Sequence, residues 1–292
     1  MNVKKSELVR LLTAAQRKAV VAGKLLPQVF SCIIRPHEKS VGVTSLVRDG
    51  KTSLSSFYVK GELGGGEDFF IIPDIEMMLG ALKAHGENIT LAWVRDKNGD
   101  GKIRLGSKLK SGATKRTTLM ANEKALSFPS STESIEAWEQ KSTERAKQIF
   151  LEAGSVGTYV TGSGNEIHAY SQALVKVGDL KEGLSAASMN GQKLGRVTFS
   201  TDEADGEGVC FLQVTVGKEL KGQTVTPIGD SENGGIVEFT VEGGLENAIE
   251  FFNDDDILVL DFFDFTEFGQ GRALGLRCMD CGSWVYQRGV LS

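Results

Sequence analysis

One pattern of apolar residues occurs twice in this chain, and it constrains the fold more than any other feature. Within residues 6–20, Leu8, Leu11, Leu12, Ala15 and Ala19 recur at helical spacing and mark one face of an amphipathic helix. Leu180, Gly183, Leu184 and Ala187 repeat the first four of these positions at an offset of 172. A second, shorter helix is expected over residues 73–85, with Ile75, Met78, Leu79 and Leu82 on its buried face and Pro73, Asp74 and Glu76 at its start. Leu245, Ala248, Ile249 and Phe252 match that face at an offset of 170, inside an expected helix over 242–253.

Between and after the paired helices lie β-rich runs. In the first half they fall at 29–34, 40–48, 51–59, 88–95 and 102–107, with turns at Asp49-Gly50 and across 96–101. In the second half they fall at 196–200, 208–216, 235–241, 257–263, 273–278 and 284–289. The shared order is helix, strands, short helix, strands. It predicts a duplicated α+β domain with helices packed on antiparallel sheets, rather than a solenoid of many short units. Chance likeness of two amphipathic helices is the alternative, and the shared order of elements weakens it. The 292 residues suit two domains. The boundaries are set at 1–125, 126–171 for a connector, and 172–292. The connector holds one further amphipathic pattern over 130–151, with Ser130 and Glu133 as a capping box and Ile135, Trp138, Ala146, Ile149 and Phe150 as its stripe.

The formal net charge of −5 hides an asymmetry between these halves. Residues 1–125 carry 21 basic and 12 acidic side chains, a net of +9, and the remainder carries 12 and 26, a net of −14. A basic half of this kind suits a polyanionic partner; tuning of solubility is the alternative. Residues 1–24 contribute Lys4, Lys5, Arg10, Arg17, Lys18 and Lys24 against Glu7 alone. At 100° per residue, Arg10 and Arg17 fall opposite the leucine stripe, with Thr13 and Ala14 between them.

With 40% apolar and 24% charged residues, the chain has the composition of a folded soluble protein. No apolar run reaches the length that spans a bilayer. The start of the chain reads as an amphipathic segment rather than a signal sequence, so a cytoplasmic location is expected. Cys32, Cys210, Cys278 and Cys281 are too few and scattered for a disulfide framework. Cys278 and Cys281 form a C-x-x-C, but no second ligand pair accompanies it, and the segment reads as a strand entering a turn.

The duplicated plan resembles the DNA sliding clamps, the ring-shaped processivity factors of replicative polymerases. The helix at 6–20, the segment from Phe69 through Leu91, the helix at 179–189 and the closing region from Gly275 to Gln287 carry the resemblance. It extends over residues 1–121 and 172–292. It is one of pattern and order, and the length is similar to that of the two-domain clamps, of the proliferating-cell-nuclear-antigen or bacteriophage type, which assemble as trimers.

The resemblance implies a ring with strands outside and helices lining a channel around duplex DNA. It implies sequence-independent phosphate contacts from Lys4, Lys5, Arg10, Arg17, Lys18 and Lys83, which permit sliding because no base is read. An ordinary solvated helix face is the alternative for any one of these cations. The second-half helices depart from the clamp pattern, since Glu182, Ser185, Met189, Asn247 and Glu250 oppose their apolar stripes. Lys181, Lys193 and Arg196 would contribute only marginally. The resemblance further implies partners: a DNA polymerase and a clamp loader, whose short peptides enter an apolar pocket near the tail, where Val290 and Leu291 are the contacts, with Trp284 and Tyr286 nearby. Self-association, a host cytoplasm if the source is viral, and no membrane partner complete the expectation.

No catalytic or cofactor chemistry is expected. Asp96, Asn98, Asp100 and Gly101 open like a calcium loop, but Ser107 stands where the twelfth-position Glu belongs. Gly64-Gly65-Gly66 lacks the Lys-Ser/Thr of a phosphate loop, and Gly162-Ser163-Gly164 lacks dinucleotide spacing. No Ser-His-Asp or Cys-His set forms, and no metal set is recognised. The aromatic run from Phe262 to Phe268 reads as core, with alternation placing one set of rings near an edge. The rival functions are a polymerase-accessory or single-strand-binding protein that forms no ring, and a viral structural protein. The absence of any aromatic residue in 1–24 weighs against the single-strand reading.

Overall fold

The structure is a computed structural model and describes residues 1–16, 18–21, 24–27, 29–37, 40–46, 53–60, 70–95, 101–120, 158–160, 166–188, 196–202, 209–215, 223–232, 238–242, 245–268, 271–278 and 280–288. Arg17, the connector helix at 130–151, the turns at 49–50 and 96–100, the glycine runs at 64–66 and 162–164, and Val290 and Leu291 lie outside the described residues. The chain divides into two compact units, one of Met1–Gln16, Val29–Gly50 and Leu54–Glu136, the other of Arg17–Gln28, Lys51–Ser53 and Ala137–Ser292.

The first unit opens with β1 (Asn2–Lys4) and α1 (Lys5–Gln16). Next in the chain is a hairpin of β2 (Lys18–Val21) and β3 (Lys24–Pro27), which groups with the second unit. β4 (Ser31–His37), β5 (Ser40–Leu46), β6 (Ser53–Lys60), β7 (Phe70–Ile72), α2 (Ile75–Leu82), β8 (Asn88–Arg95), β9 (Gly101–Lys108) and β10 (Thr114–Met120) follow. Their strands run in two antiparallel arrays, β7-β4-β5-β6 and β1-β8-β9-β10. α1 lies against α2 and against β1, β4 and β5. Leu8, Leu11, Leu12 and Ala15 are fully buried there with Ile75, Met78 and Leu82. The helical spacing read from the sequence thus marks the real core face.

The second unit begins with the hairpin β11 (Thr158–Val160) and β12 (Glu166–His168). β13 (Ser171–Lys176), α3 (Val177–Ser188), β14 (Arg196–Asp202), β15 (Val209–Thr215), β16 (Gln223–Glu232), β17 (Glu238–Glu242), α4 (Glu246–Ile249), β18 (Ile257–Asp264), β19 (Arg272–Cys278) and β20 (Trp284–Arg288) complete it. The arrays β17-β14-β15-β16 and β13-β18-β19-β20 repeat those of the first unit. Here the two are joined, because β16 also pairs with β13. α1 and α3 have the same length and start at the offset of 172. The expected α+β duplication, with helices on antiparallel sheets, is the architecture observed.

The repeat extends to single hydrogen bonds. Lys5 N–H donates to the Glu87 carbonyl in one unit, and Val177 N–H donates to Asp256 in the other. Lys5 Nζ reaches the carbonyl of His85 at 2.9 Å, three residues past α2. Lys181 Nζ reaches that of Phe252 at 2.8 Å, three residues past α4. In both units a lysine of the long helix satisfies a carbonyl at the end of the short one, where the helix dipole is negative.

Several boundaries differ from the sequence reading. The first helix ends at Gln16 rather than Val20, its carbonyl accepting Val29 N–H at 2.9 Å. The β-branched pair Val20-Val21 goes instead into β2, where such side chains fit the pleat. Ala14, expected on the polar face of α1, is buried. The helix expected over 242–253 contracts to α4, since β17 extends to Glu242 and the chain tightens after Ile249 through Phe251 N–H to Ala248 and Phe252 N–H to Ile249. Strands β10 and β16 were not expected. The former holds three Thr, one Lys and one Arg in seven residues and shows little apolar alternation. The latter contains Pro227, accommodated by a register irregularity opposite Cys210 and Phe211. Both rings Phe262 and Phe263 are fully buried, so the aromatic run is core on both faces of β18 and leaves neither near an edge.

Candidate nucleic-acid interface

The cations singled out from the sequence separate into different environments. α1 turns Ser6 and Thr13 to solvent with Arg10 between them. The Arg10 side chain is partly exposed and forms an ion pair at 3.5 Å with Glu7, one turn earlier. Lys83 is exposed directly after α2. Lys5 is on α1, but its ammonium is held by the His85 carbonyl. Lys4 belongs to β1, with its Cα opposite Asn88 of β8. Lys18 sits on β2, opposite Pro27, not on a helix. Of the six, Arg10 and Lys83 are therefore the described cations presented by the two helices or their ends.

The start of α1 is held by Glu87. Ser6 donates to its carboxylate through both N–H, at 3.1 Å, and Oγ. These bonds, assisted by Lys5 and Lys4, hold the Glu87 carboxyl below the usual carboxylate range. Next to it the buried His85 ring bridges two strands, Nδ1 lying 2.9 Å from Ser107 Oγ and Nε2 2.8 Å from Thr117 Oγ1. Burial, with Lys115 and Lys5 close by, pushes the imidazole pKa down.

The corresponding helix face of the second unit is acidic. Asp179, Glu182 and Ser185 are exposed on α3 and stand where α1 has Glu7, Arg10 and Thr13. Lys181 is drawn to the Phe252 carbonyl and to Asp254 Oδ1 at 2.7 Å. The asymmetry of charge read from the sequence thus reaches the helix faces themselves.

Among the described residues, a further group of exposed cations in the first unit lies on a sheet. β9 alternates buried Ile103, Leu105 and Ser107 with outward Arg104 and Lys108, and β10 adds Arg116 opposite Gly106. The signal was present in the sequence, where Lys102, Arg104 and Lys108 share a period of two, but attention to helical spacing passed over it.

In the second unit the C-x-x-C lies where β19 enters a turn, as expected. Cys278 N–H donates to the Ser283 carbonyl at 2.8 Å and Gly282, at φ +70°, closes the bend. Cys281 is exposed, with Sγ 3.1 Å from Ser283 Oγ. Among the described residues no three His, Cys, Asp or Glu side chains gather as a metal site. Nor is any described helix long and apolar enough to cross a membrane.

No family model matches the chain, and no curated protein matches it. Among solved structures, it is similar to the DNA polymerase sliding clamp from Caulobacter crescentus, with a TM-score of 0.58 and 11% identity over 100% of this chain and 65% of that one. It is also similar to a chain of the PCNA2–PCNA3 complex from Sulfolobus tokodaii, with a TM-score of 0.54 and 11% identity over 99% of each chain. The chain thus spans about two-thirds of the length of the Caulobacter clamp (65%) and nearly all of the Sulfolobus chain. At this identity the likeness is one of fold, and the fold is that of the sliding clamps.

Proposed function

We propose that this chain is a subunit of a DNA sliding clamp, three copies of which close a ring around duplex DNA and tether a replicative polymerase. The supporting observation is the duplicated plan, which matches clamp structures over the whole length of the chain. The near-complete mutual coverage with the Sulfolobus chain supports the two-repeat kind of subunit, and the trimer is the assembly that the resemblance to two-domain clamps implies.

In this reading the mechanism is topological and involves no catalytic step or cofactor. Enclosure supplies residence time, and contacts to phosphates stay weak enough for movement. Arg10, Arg17 and Lys83 supply such contacts in the first unit, while Glu182 and Asp179 hold the second-unit face off the backbone. A repulsive face in one unit and an attractive one in the other keep DNA loosely held, as sliding requires. The polymerase and loader engage the region of Val290 and Leu291, and the ring works in the cytoplasm.

The test is retention on closed circular duplex DNA with the cognate loader, or at high protein concentration without one. A clamp stays bound to the circle through a high-salt wash and is lost when the circle is cut. Mass measurement in solution should give three subunits. A monomer that is released equally from circular and linear DNA would sink the reading and favour a non-ring accessory protein.

A further inference from the structure

We propose that the outward face of the β1-β8-β9-β10 array is a docking surface for an acidic peptide segment of a partner protein. The duplication supplies an internal comparison. Leu91 pairs with Leu105 on the inner side of the first array, and Leu260 pairs with Leu276 at the matching place in the second. The outer neighbours therefore correspond: Thr90 and Ala92 to Val259 and Asp261, and Arg104 and Gly106 to Gly275 and Arg277.

In the second unit that outer side is buried. Val259 and Arg277 are each 7% exposed, and Asp261 and Phe263 not at all. The one charge pair is satisfied internally, Arg277 Nε donating to Asp261 Oδ2 at 2.6 Å and Gln172 donating to Oδ1 at 2.6 Å. In the first unit the same side is open and basic. Arg104, Lys108 and Arg116 are exposed there, with Lys4 two strands away. One sheet face has thus been built twice, once covered and once bare.

Register places the cations as a set. Arg116 lies opposite Gly106, diagonal to both Arg104 and Lys108 on the neighbouring strand. Diagonal neighbours in such a sheet are about 7–8 Å apart, within reach of long side chains. They border a hollow of about 560 Å³ that Glu87, Asn88 and Thr90 close on the other side. Its size falls within the roughly 300–1,000 Å³ of pockets that take a small ligand, and suits a few residues of an extended chain. Two guanidinium groups can each take a carboxylate through paired N–H donors, and Thr114 adds a hydroxyl to the lining.

The lining favours a peptide over a nucleic acid. Among the described residues no aromatic ring lines the hollow, whereas single strands are held largely by stacking. This surface does not depend on the clamp reading, and its test is separate from ring retention.

The experiment uses the full chain and a fluorescein-labelled oligoglutamate, read by anisotropy, with oligoglutamine and labelled oligothymidylate as comparisons. Oligoglutamate should bind in low salt, and oligoglutamine should not. The double variant Arg104→Glu/Arg116→Glu should lose about tenfold or more in affinity, and the milder Arg104→Gln/Arg116→Gln should lose part of that. Lys176→Glu, on an exposed strand position of the other unit, should change nothing. Circular dichroism of each variant should match the parent, since the altered residues lie on an exposed face. Equal oligoglutamate affinity in parent and double variant would overturn the proposal. So would oligothymidylate binding more tightly than oligoglutamate and being lost in the same variant, which would make the face a nucleic-acid site.

Discussion

Arg10 and Glu182 occupy one structural position: each is the sixth residue of a twelve-residue helix, in repeats related by the offset that aligns Leu8 with Leu180. Opposite charges therefore stand at the same place on the solvent faces of α1 and α3. If these faces meet DNA, the two residues act with opposite sign. Arg10→Ala should lower the slope of log affinity against log salt by about one phosphate contact, and Glu182→Arg should raise it by about one. Anisotropy with duplex DNA across a salt series checks both. Slopes unchanged in both variants would remove the helix faces as the DNA contact.

A buried charge in the second unit depends on its partners. Asp261 has no exposed surface and accepts from Arg277 at 2.6 and 3.1 Å and from Gln172 at 2.6 Å. Asp261→Ala strands a buried guanidinium and should cost about 3–5 kcal/mol. Asp261→Leu combined with Arg277→Met removes both charges and should cost far less. Urea unfolding gives the comparison; a double variant as unstable as the single one would contradict this account.

The buried His85 ring sets a pH dependence. Its folded pKa lies below the unfolded value of 6.5, so in the interval between them the unfolded chain binds more protons. Stability of the first unit should therefore fall as pH drops through about 6.5 and level off once the folded ring is also protonated. His85→Gln should flatten this part of the profile. Thermal unfolding between neutral and mildly acidic pH, followed for both proteins, is the measurement, and parallel curves would refute the assignment.

Thiol reactivity should differ sharply within the chain. The Cys278 thiol donates to Cys281, and Ser283 assists, which brings the exposed Cys281 down to about 6. Burial pushes the Cys32 thiol far up. At neutral pH iodoacetamide should label Cys281 first, with a rate that falls as pH drops below about 6, while Cys32 remains protected until unfolding. Peptide mapping after timed labelling distinguishes the sites. Labelling of Cys32 at a comparable rate in the folded protein would count against the described packing.

Periodicity alone determined the duplicated plan, because a helix that packs on a sheet must repeat its apolar positions every three to four residues. Leu8, Leu11, Leu12 and Ala15, and their counterparts from Leu180 onward, were legible for that reason, as were α2 and the strands β8 and β18. The charge asymmetry was legible as a sum. Its location was not, because the sequence does not say which neighbours a side chain will meet. Tertiary structure drew Lys5 to a carbonyl 80 residues away and Lys181 to one 71 residues away, so neither ammonium remains on an open helix face. It stopped α1 at Gln16, where β pairing of Val20 and Val21 competes with helix, and moved Lys18 onto a strand. It also buried one copy of the outer sheet face around Asp261 and left the other open with Arg104, Lys108 and Arg116. The strands carry a local sign of that choice, alternation in β9 against nearly continuous apolar runs in β18 and β19, but what packs on each outer face is decided by the tertiary structure.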